Sequence, residues 1–117
     1  MRSLNLALFA EGPTDHRFLQ PLIRRLAVDL CRVRSRGEVE IGDPLELHAA
    51  PEFRGLGRAK YVAEAARAAL GGFHILCLHA DGAGNPEAAR LERCVPAMEA
   101  LEGEFIESGH RVVAVVP

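Results

Sequence analysis

The chain has 117 residues, a length typical of one domain with a hydrophobic core of its own, although small for an enzyme. Its 49% hydrophobic and 26% charged residues are ordinary for a soluble globular protein. With no Trp, one Tyr and a formal net charge of −2, the composition argues against binding dominated by base stacking and against a chain that attracts polyanions as a whole.

The cysteines and the apolar runs indicate the compartment. Cys31, Cys77 and Cys94 are odd in number and show no paired spacing. Two of them lie within apolar patterns, so we expect reduced, buried thiols in a cytoplasmic protein. No apolar run approaches the roughly 18 residues of a membrane span. A signal-peptide pattern is also missing, because Glu11 and Asp15 interrupt the N-terminal apolar segment.

The first predicted element is a buried strand. Residues 4–10 form a nearly unbroken apolar run, which is typical of a strand covered on both faces of a parallel sheet. The run ends in Glu11-Gly12-Pro13-Thr14-Asp15, where Gly and Pro stop the strand and Thr14 or Asp15 caps a helix. We therefore expect Glu11 at the carboxyl end of a central strand, where open α/β sheets place their ligand sites.

A long helix is predicted next, from about residue 14 to residue 31. Apolar residues recur at steps of three and four and predict one buried stripe: Phe18, Leu19, Leu22, Ile23, Leu26 and Leu30. Pro21 falls inside this pattern and favours a kink. The opposite face either contacts phosphates or, more commonly, is simply solvated; it carries His16, Arg17, Gln20, Arg24 and Arg25. Residues 32–44 predict a loop or a weak edge strand.

A basic, glycine-bearing loop follows a short predicted strand at residues 45–48. This loop, residues 51–60, opens into an alanine-rich helix. Because a helix start offers free amides and a positive dipole, Arg54, Arg58 and Lys60 are candidate phosphate contacts. The same pattern is common in ordinary surface loops, and the loop is not a P-loop because it lacks the GK[ST] ending.

The second buried strand is predicted at residues 73–79 and runs directly into His79-Ala80-Asp81-Gly82. Asn85 with Pro86 then favours a helix start, and Pro96 either kinks that helix or divides it in two.

The order of these elements predicts an α/β domain. We expect an open, mostly parallel, Rossmann-like sheet of about four strands with helices on both faces. The last strand, residues 112–116, is followed in the sequence by Pro117 alone. Since a core strand rarely ends a domain, we expect residues 1–117 to form a single domain that is either truncated at the C-terminus or a very compact variant.

Two motifs at strand ends resemble those of a known family. Glu11-Gly12-Pro13-Thr14-Asp15, followed by Phe18-Leu19, resembles the first motif of TOPRIM domains, the fold shared by topoisomerases, primases and OLD-type nucleases. His79-Ala80-Asp81-Gly82 stands where that family has its Asp-x-Asp motif. The similarity is greatest to small prokaryotic TOPRIM-like proteins of unknown function related to OLD-type defence nucleases. It covers most of the chain, although only these two motifs are diagnostic.

The resemblance implies roles for four residues. Glu11 matches the family's first glutamate, a metal ligand or general acid/base in strand cleavage. Asp15 matches an acidic residue that helps to hold a divalent ion, and Asp81 matches the second acid of Asp-x-Asp. His79 replaces the first aspartate, which weakens a hard-oxygen Mg²⁺ site and suits Mn²⁺ better. The implied cofactor is Mg²⁺ or Mn²⁺ held by these four residues, with Glu11 and Asp81 catalytic.

The charges of these residues give an independent argument for a cation at the site. Three carboxylates brought near one point by neighbouring strands need a cation, a shared proton or an arginine partner. A divalent ion there would bind a phosphate oxygen and activate water. Each residue also has a structural interpretation, which stays open: Asp15 as a helix cap, Asp81 as a turn residue and His79 as a satisfied strand-end residue.

Three functions follow from these patterns. The first is a divalent-metal-dependent nuclease, or related phosphoryl-transfer domain, that acts on DNA or RNA in defence against phages or mobile elements. The second is a non-catalytic TOPRIM-like module that binds nucleic acid or a protein, with a metal site degraded at His79. The third is an α/β domain that binds a small phosphorylated ligand through the loop at residues 55–60. An ATPase partner is implied by the resemblance alone, a homodimer is left open, and no membrane contact is expected.

Overall fold

The computed structural model describes residues 2–10, 13–34, 37–47, 55, 57–80, 84–109 and 111–115. Within these residues the strands are β1 (Arg2–Leu4), β2 (Leu6–Phe9), β3 (Val39–Ile41), β4 (Leu45–Glu46), β5 (Ile75–His79) and β6 (Arg111–Val115). The helices are α1 (Pro13–Arg34), α2 (Arg58–Ala68), α3 (Pro86–Ala89) and α4 (Val95–Ser108). The predicted α/β fold is confirmed.

All strand pairs are parallel. β2, β4, β5 and β6 form one sheet in the spatial order β4-β2-β5-β6, and β1 pairs with β3 in a second, two-stranded sheet. Asn5 separates β1 from β2. It also bonds to the residue that precedes β5, because its amide donates to His74 Nδ1 at 2.9 Å and its carbonyl accepts from the His74 amide at 2.8 Å. β3 lies within residues 32–44, where the sequence predicts a loop or an edge strand.

Helices cover the two faces of the four-stranded sheet differently. On one face α1 packs over Leu6, Leu8 and Cys77. On the other face α2 and α4 enclose the larger part of the core, which includes Ala7, Phe9, Val62, Ala66, Leu76, Leu78, Ala97 and Leu101. Side chains alternate along each strand, so consecutive residues of β2 enter opposite halves of the core. This explains why all four residues of β2 are buried.

The connections reverse direction between β2 and β5. From β2 the chain crosses through α1 to the edge strand β4, then returns through α2 to β5 on the other side of β2, and continues through α4 to β6. In open α/β sheets ligands bind beyond the carboxyl ends of the strands at such a reversal. The reversal point is therefore the place in this fold where a site is expected.

The sequence-based interpretation of α1 is wrong for most of its predicted stripe. Leu19 and Ile23 are buried as expected, but Phe18, Leu22, Leu26 and Leu30 are exposed. The reason is that α1 packs on the sheet through a narrow band of residues, while the neighbouring apolar residues on the helix extend beyond that contact. No helix within the described ranges is long and apolar enough to cross a membrane.

Pro96 neither divides its helix nor ends it. α3 runs into a π-helical turn, Arg90–Cys94, that leads directly into α4. At this turn the amide of Val95 donates to the carbonyl of Arg90, five residues back. Proline lacks an N–H and its ring clashes with the carbonyl four residues earlier. The wider turn just before Pro96 accommodates both effects in one continuous helical segment.

Candidate site at the carboxyl edge of the sheet

The two strands that precede the motifs are direct neighbours. β2 and β5 pair in parallel with Phe9 opposite Leu78, so both strands end at the same edge of the sheet. Adjacent strands lie about 4.8 Å apart. Glu11 comes two residues after Phe9 and Asp81 three residues after Leu78 in the sequence. Glu11, Asp81 and the predicted phosphate contact Arg54 lie outside the residues that the structure describes.

Arg58 lies at this edge, in the first turn of α2. Gly57 precedes it with a φ of 89°, a left-handed conformation that glycine adopts without steric cost and that turns the chain into the helix. The Arg58 guanidinium donates from Nη2 to the carbonyl oxygen of His79 at 2.9 Å and from Nε to that of Arg93 at 3.4 Å. Arg58 therefore connects the start of α2 with the end of β5 and with the π-helical turn.

Aromatic rings complete the surroundings of the guanidinium. The Arg58 Cζ atom lies 5.5 Å from the centre of the Phe9 ring, a cation–π distance. The ring of Tyr61 meets that of Phe9 edge-on, with centroids 5.9 Å apart and an interplanar angle of 69°. Phe9, Gly57, Arg58 and Tyr61 line a surface pocket of about 320 Å³. A permanent positive charge thus forms one wall of a pocket at the reversal point.

Lys60 differs from Arg58 in its surroundings. It lies two residues further along α2, is exposed, and has no ion pair with any residue that the structure describes. The first-turn amides of a helix and its dipole attract anions. Arg58 therefore provides a positioned cation at the edge and Lys60 an exposed one, and both belong to the start of the same helix.

His79 is a buried residue, with 2% of its surface exposed. By strand alternation its side chain shares the face of Cys77, which is the α1 face of the sheet. Asp15 lies in the first turn of α1 and is partly buried. The two predicted ligands that the structure describes therefore belong to the α1 side of the sheet, whereas the pocket beside Arg58 belongs to the α2 side.

His16 was missed as a core residue, because the sequence pattern places it on the solvated face of α1. It is 6% exposed, and its Nε2 atom lies 3.4 Å from Oε2 of Glu46. This is an ion-pair distance, but Nε2 makes no hydrogen bond to any described residue. A sequence signal for this burial exists, since His16, Leu19 and Ile23 follow one another at helical steps of three and four.

The predicted metal site remains a prediction, because two of its four ligands lie outside the residues that the structure describes. Among them no three His, Cys, Asp or Glu side chains come together in a way that would hold a metal ion. Asp15 and His79 are two of the four predicted ligands, and the other two, Glu11 and Asp81, lie outside the described ranges. A complete ligand set at this edge would therefore require the two acids that follow β2 and β5.

Comparisons with models of known protein families, with curated proteins and with solved structures find no match to this chain. The geometry itself gives an α/β fold with parallel sheets whose connections reverse between β2 and β5. At that reversal lies a pocket lined by a positioned guanidinium.

Proposed function

We propose that this chain is a TOPRIM-like domain that hydrolyses phosphodiester bonds of nucleic acid with a bound divalent metal ion. One observation carries the proposal: β2 and β5, the strands that lead into Glu11 and Asp81, are adjacent and end at the same edge. Acids that follow neighbouring parallel strands have short paths to a common point. The resemblance of the motifs at both strand ends to TOPRIM motifs supports the same assignment.

In this proposal Glu11 and Asp81 bind the metal ion, with Asp15 and the imidazole of His79 as further ligands. The chemistry that the ion supplies is polarisation of a phosphate oxygen and activation of water. In the alternative arrangement Glu11 would not bind the ion and would instead be the general base that takes the proton of the attacking water. An imidazole in the ligand set favours Mn²⁺ over Mg²⁺.

Arg58 lies on the α2 side of the same edge, opposite the side of Asp15 and His79, and would bind a neighbouring phosphate of the nucleic-acid strand. Its two main-chain acceptors and the Phe9 ring fix the guanidinium at the end of β5. Positioned cations that contact backbone phosphates hold a nucleic-acid strand in place. Lys60, which is exposed two residues further on, would bind an adjacent phosphate of the same strand.

Melting temperature with and without ions tests the metal site. Mn²⁺ and Mg²⁺ are titrated into the parent protein and into Glu11→Gln, Asp81→Asn and the control variant Glu99→Gln, whose side chain is exposed on α4. We expect both ions to raise the Tm of the parent and of Glu99→Gln, Mn²⁺ more strongly, and neither to raise that of the two site variants. Indifference of the parent to both ions would remove the metal site.

Cleavage is then measured on single-stranded DNA, duplex DNA and RNA with the same variants. The proposal expects metal-dependent cleavage of at least one substrate by the parent and its loss in Glu11→Gln. A parent that binds the ions and the nucleic acid but never cleaves it would instead be the non-catalytic module. Circular dichroism without metal checks that the variants fold. Glu11→Gln should fold, because in this proposal it removes one of three neighbouring carboxylates that repel one another when no ion is bound.

A second function is favoured by the pocket beside Arg58. This pocket, with Phe9, Gly57 and Tyr61 as its other lining residues and a volume of about 320 Å³, is open to solvent and would hold only part of a small ligand. A phosphorylated ligand would place its phosphate near Arg58 and its apolar part on the partly exposed ring of Tyr61. Nucleotides and sugar phosphates would then stabilise the protein without any metal ion, and Arg58→Ala would abolish the effect while Glu11→Gln would keep it.

A further inference from the structure

The one tyrosine of the chain lines the pocket at the carboxyl edge of the sheet. The sequence has one Tyr and no Trp, and Tyr61 is partly exposed beside Phe9, Gly57 and Arg58 in this pocket. Proteins that bind single-stranded nucleic acid combine aromatic rings, on which bases stack, with cations that contact the backbone phosphates. The pocket therefore brings together both kinds of group that one nucleotide of a strand requires.

Tyr61 and Arg58 are positioned by the same ring. Arg58 comes three residues before Tyr61 in α2, so both side chains leave the same face of the helix. The Arg58 Cζ atom lies 5.5 Å from the centre of the Phe9 ring, and the Tyr61 ring meets the Phe9 ring at 5.9 Å between centroids. Phe9 itself is 8% exposed, at the end of β2. A buried ring thus contacts both the partly exposed ring of the pocket and its guanidinium.

The pocket can enclose one part of a larger ligand. Its volume is about 320 Å³, at the lower end of small-molecule sites, and it is open to solvent. A Cβ atom added at Gly57 would meet no atom within 4 Å beyond its chain neighbours, so there is space at this wall. One flat base could therefore enter while its sugar and phosphates remained in the solvent outside. Because the pocket is open, the rest of a strand could continue past it.

The charges beside the pocket favour an anionic ligand. The acceptors of the Arg58 guanidinium, on His79 and Arg93, are main-chain carbonyls without net charge, so these bonds leave its positive charge in place. Lys60 adds an exposed cation next to Tyr61. Among the described residues that line the pocket there is no acid. Phosphates on either side of a bound base would therefore lie near two cations.

The acids close to the pocket do not cancel these cations. Helix α2 carries three basic residues and one acid, Glu64, which forms an ion pair with Arg67. The π-helical turn that accepts from Arg58 carries two arginines and one glutamate. In the proposed function Glu11 and Asp81 hold a divalent ion, whose charge offsets theirs. The surroundings of the pocket thus attract the phosphates of a strand.

We propose that this pocket binds one unpaired base of the nucleic-acid substrate, stacked on the ring of Tyr61, and that the substrate is therefore single-stranded. The inference rests on the proposed function, which takes nucleic acid as the substrate, and adds which form of it is bound. A base in a duplex must leave its stack and its pair before it can enter a pocket, and a single strand largely avoids that cost. Stacking on a ring accepts every base, so we expect selection for single strands with little selection for sequence.

The fluorescence of Tyr61 reports this stacking directly, because the chain contains no other Tyr and no Trp. A strand of about 12 thymidines and a duplex of the same length, within the usual range of single-strand binding sites, are titrated into the full chain. Ca²⁺ is present to offset the acids, and electrophoresis checks that the strand stays intact. Free tyrosine amide corrects for light absorbed by the bases. We expect the single strand to quench about half of the emission or more, and the duplex to quench little of it.

Variants of the chain locate the bound base. Fluorescence anisotropy with a labelled thymidine strand should show binding about tenfold weaker for Tyr61→Leu, which lacks the ring, and nearly unchanged for Tyr61→Phe, which keeps it. Phe18→Leu is the matched control, because it removes a ring that is 69% exposed on α1, outside the pocket. A strand of the same length without bases should bind the parent and Tyr61→Leu equally. If Tyr61→Leu does not fold, the quenching of the parent and its preference for the strand with bases still decide the question.

Four results would overturn the inference. The first two are no binding of the thymidine strand and equal binding of single strand and duplex by the parent. The third is equal binding of the thymidine strand by the parent and Tyr61→Leu. The fourth is quenching by thymidine monophosphate as strong as that by the strand, which would make the pocket a small-molecule site.

Failure of the inference can be told apart from failure of the proposed function. Metal-dependent cleavage by a parent that binds duplex as well as single strand would leave the proposed function standing and remove the base site. Stacking on Tyr61 without any cleavage in Mn²⁺ would keep the base site and remove the hydrolysis.

Discussion

The guanidinium of Arg58 donates a hydrogen bond of 2.9 Å to the carbonyl oxygen of His79 and so fastens the first turn of α2 to the carboxyl end of β5. Phe9 at the end of β2 supplies the ring on which the same guanidinium rests. One side chain thereby holds together the two strands between which the chain reverses direction.

Replacing Arg58 by Ala should destabilise the fold by about 2–3 kcal/mol. The change removes two hydrogen bonds from a charged donor and leaves the carbonyl oxygens of His79 and Arg93 without that donor. Lys60→Ala, the control in the same helix turn, should change the free energy of unfolding by less than about 0.5 kcal/mol because Lys60 is exposed. Urea unfolding followed by circular dichroism measures both, and equal values would contradict the anchoring role.

A double-mutant cycle should detect the coupling between Arg58 and Phe9. Phe9→Leu keeps an apolar side chain but removes the ring under the guanidinium and the edge-on contact with Tyr61. If the stacking stabilises the fold, Phe9→Leu should cost less in the Arg58→Ala background than in the parent, by about 0.5–1 kcal/mol. Additive effects of the two changes would show that Phe9 and Arg58 act independently.

β2 and β5 were predictable because their signals are local, whereas β1 was not predicted and β3 lies where the sequence predicts a loop or a weak edge strand. The apolar runs at residues 4–10 and 73–79 are typical of buried parallel strands, and β2 and β5 lie inside them. The burial of the α1 side chains was not predictable, because periodicity identifies an apolar face of a helix but not how much of that face the sheet covers. Phe18 and Leu19 are adjacent in the sequence and equally apolar, yet the first is exposed and the second buried.

The site was predictable to a smaller extent. Gly12 and Pro13 indicated where β2 stops. Glu11 and Asp81, which follow two predicted strands, indicated the edge of the sheet at which a site is expected. The anchoring of Arg58 was beyond reach, because its acceptors are main-chain carbonyls 21 and 35 residues away and every residue has a carbonyl. The adjacency of β2 and β5 also arises from the crossing of α2 over the sheet, which no short motif encodes.

The start of α3 offers a test of a feature that the sequence did predict. The Asn85 side chain accepts a hydrogen bond from the Ala88 amide at 3.1 Å, and Pro86 occupies the first helical position. Asn85→Ala should lower the free energy of unfolding by about 1 kcal/mol, since an amide at the helix start loses its acceptor. Asn85→Asp should retain most of the stability. Equal losses in both variants would show that the cap does not contribute.

Stability at alkaline pH should depend on Cys77. Burial raises the pKa of its thiol from 9.0 to about 11. Between these values the unfolded chain releases the thiol proton and the folded chain keeps it, so unfolding becomes more favourable as the pH rises. The effect of this thiol on the free energy of unfolding should be constant below about pH 8. By pH 11 it should have lowered that free energy by about 2 kcal/mol, at 1.36 kcal/mol per unit of pKa difference.

Cys77→Ala separates this effect from other groups that titrate in the same range. The variant removes the thiol and leaves a small cavity, so it should be less stable than the parent at neutral pH. Its disadvantage should shrink by about 2 kcal/mol between pH 8 and pH 11, because only the parent carries the Cys77 thiol, which gives up its proton more readily in the unfolded chain. Asn85→Ala, which changes no ionisable group, should keep a constant difference from the parent. Parallel pH profiles for the parent and Cys77→Ala would mean that the thiol ionises as readily in the folded protein as in the unfolded chain.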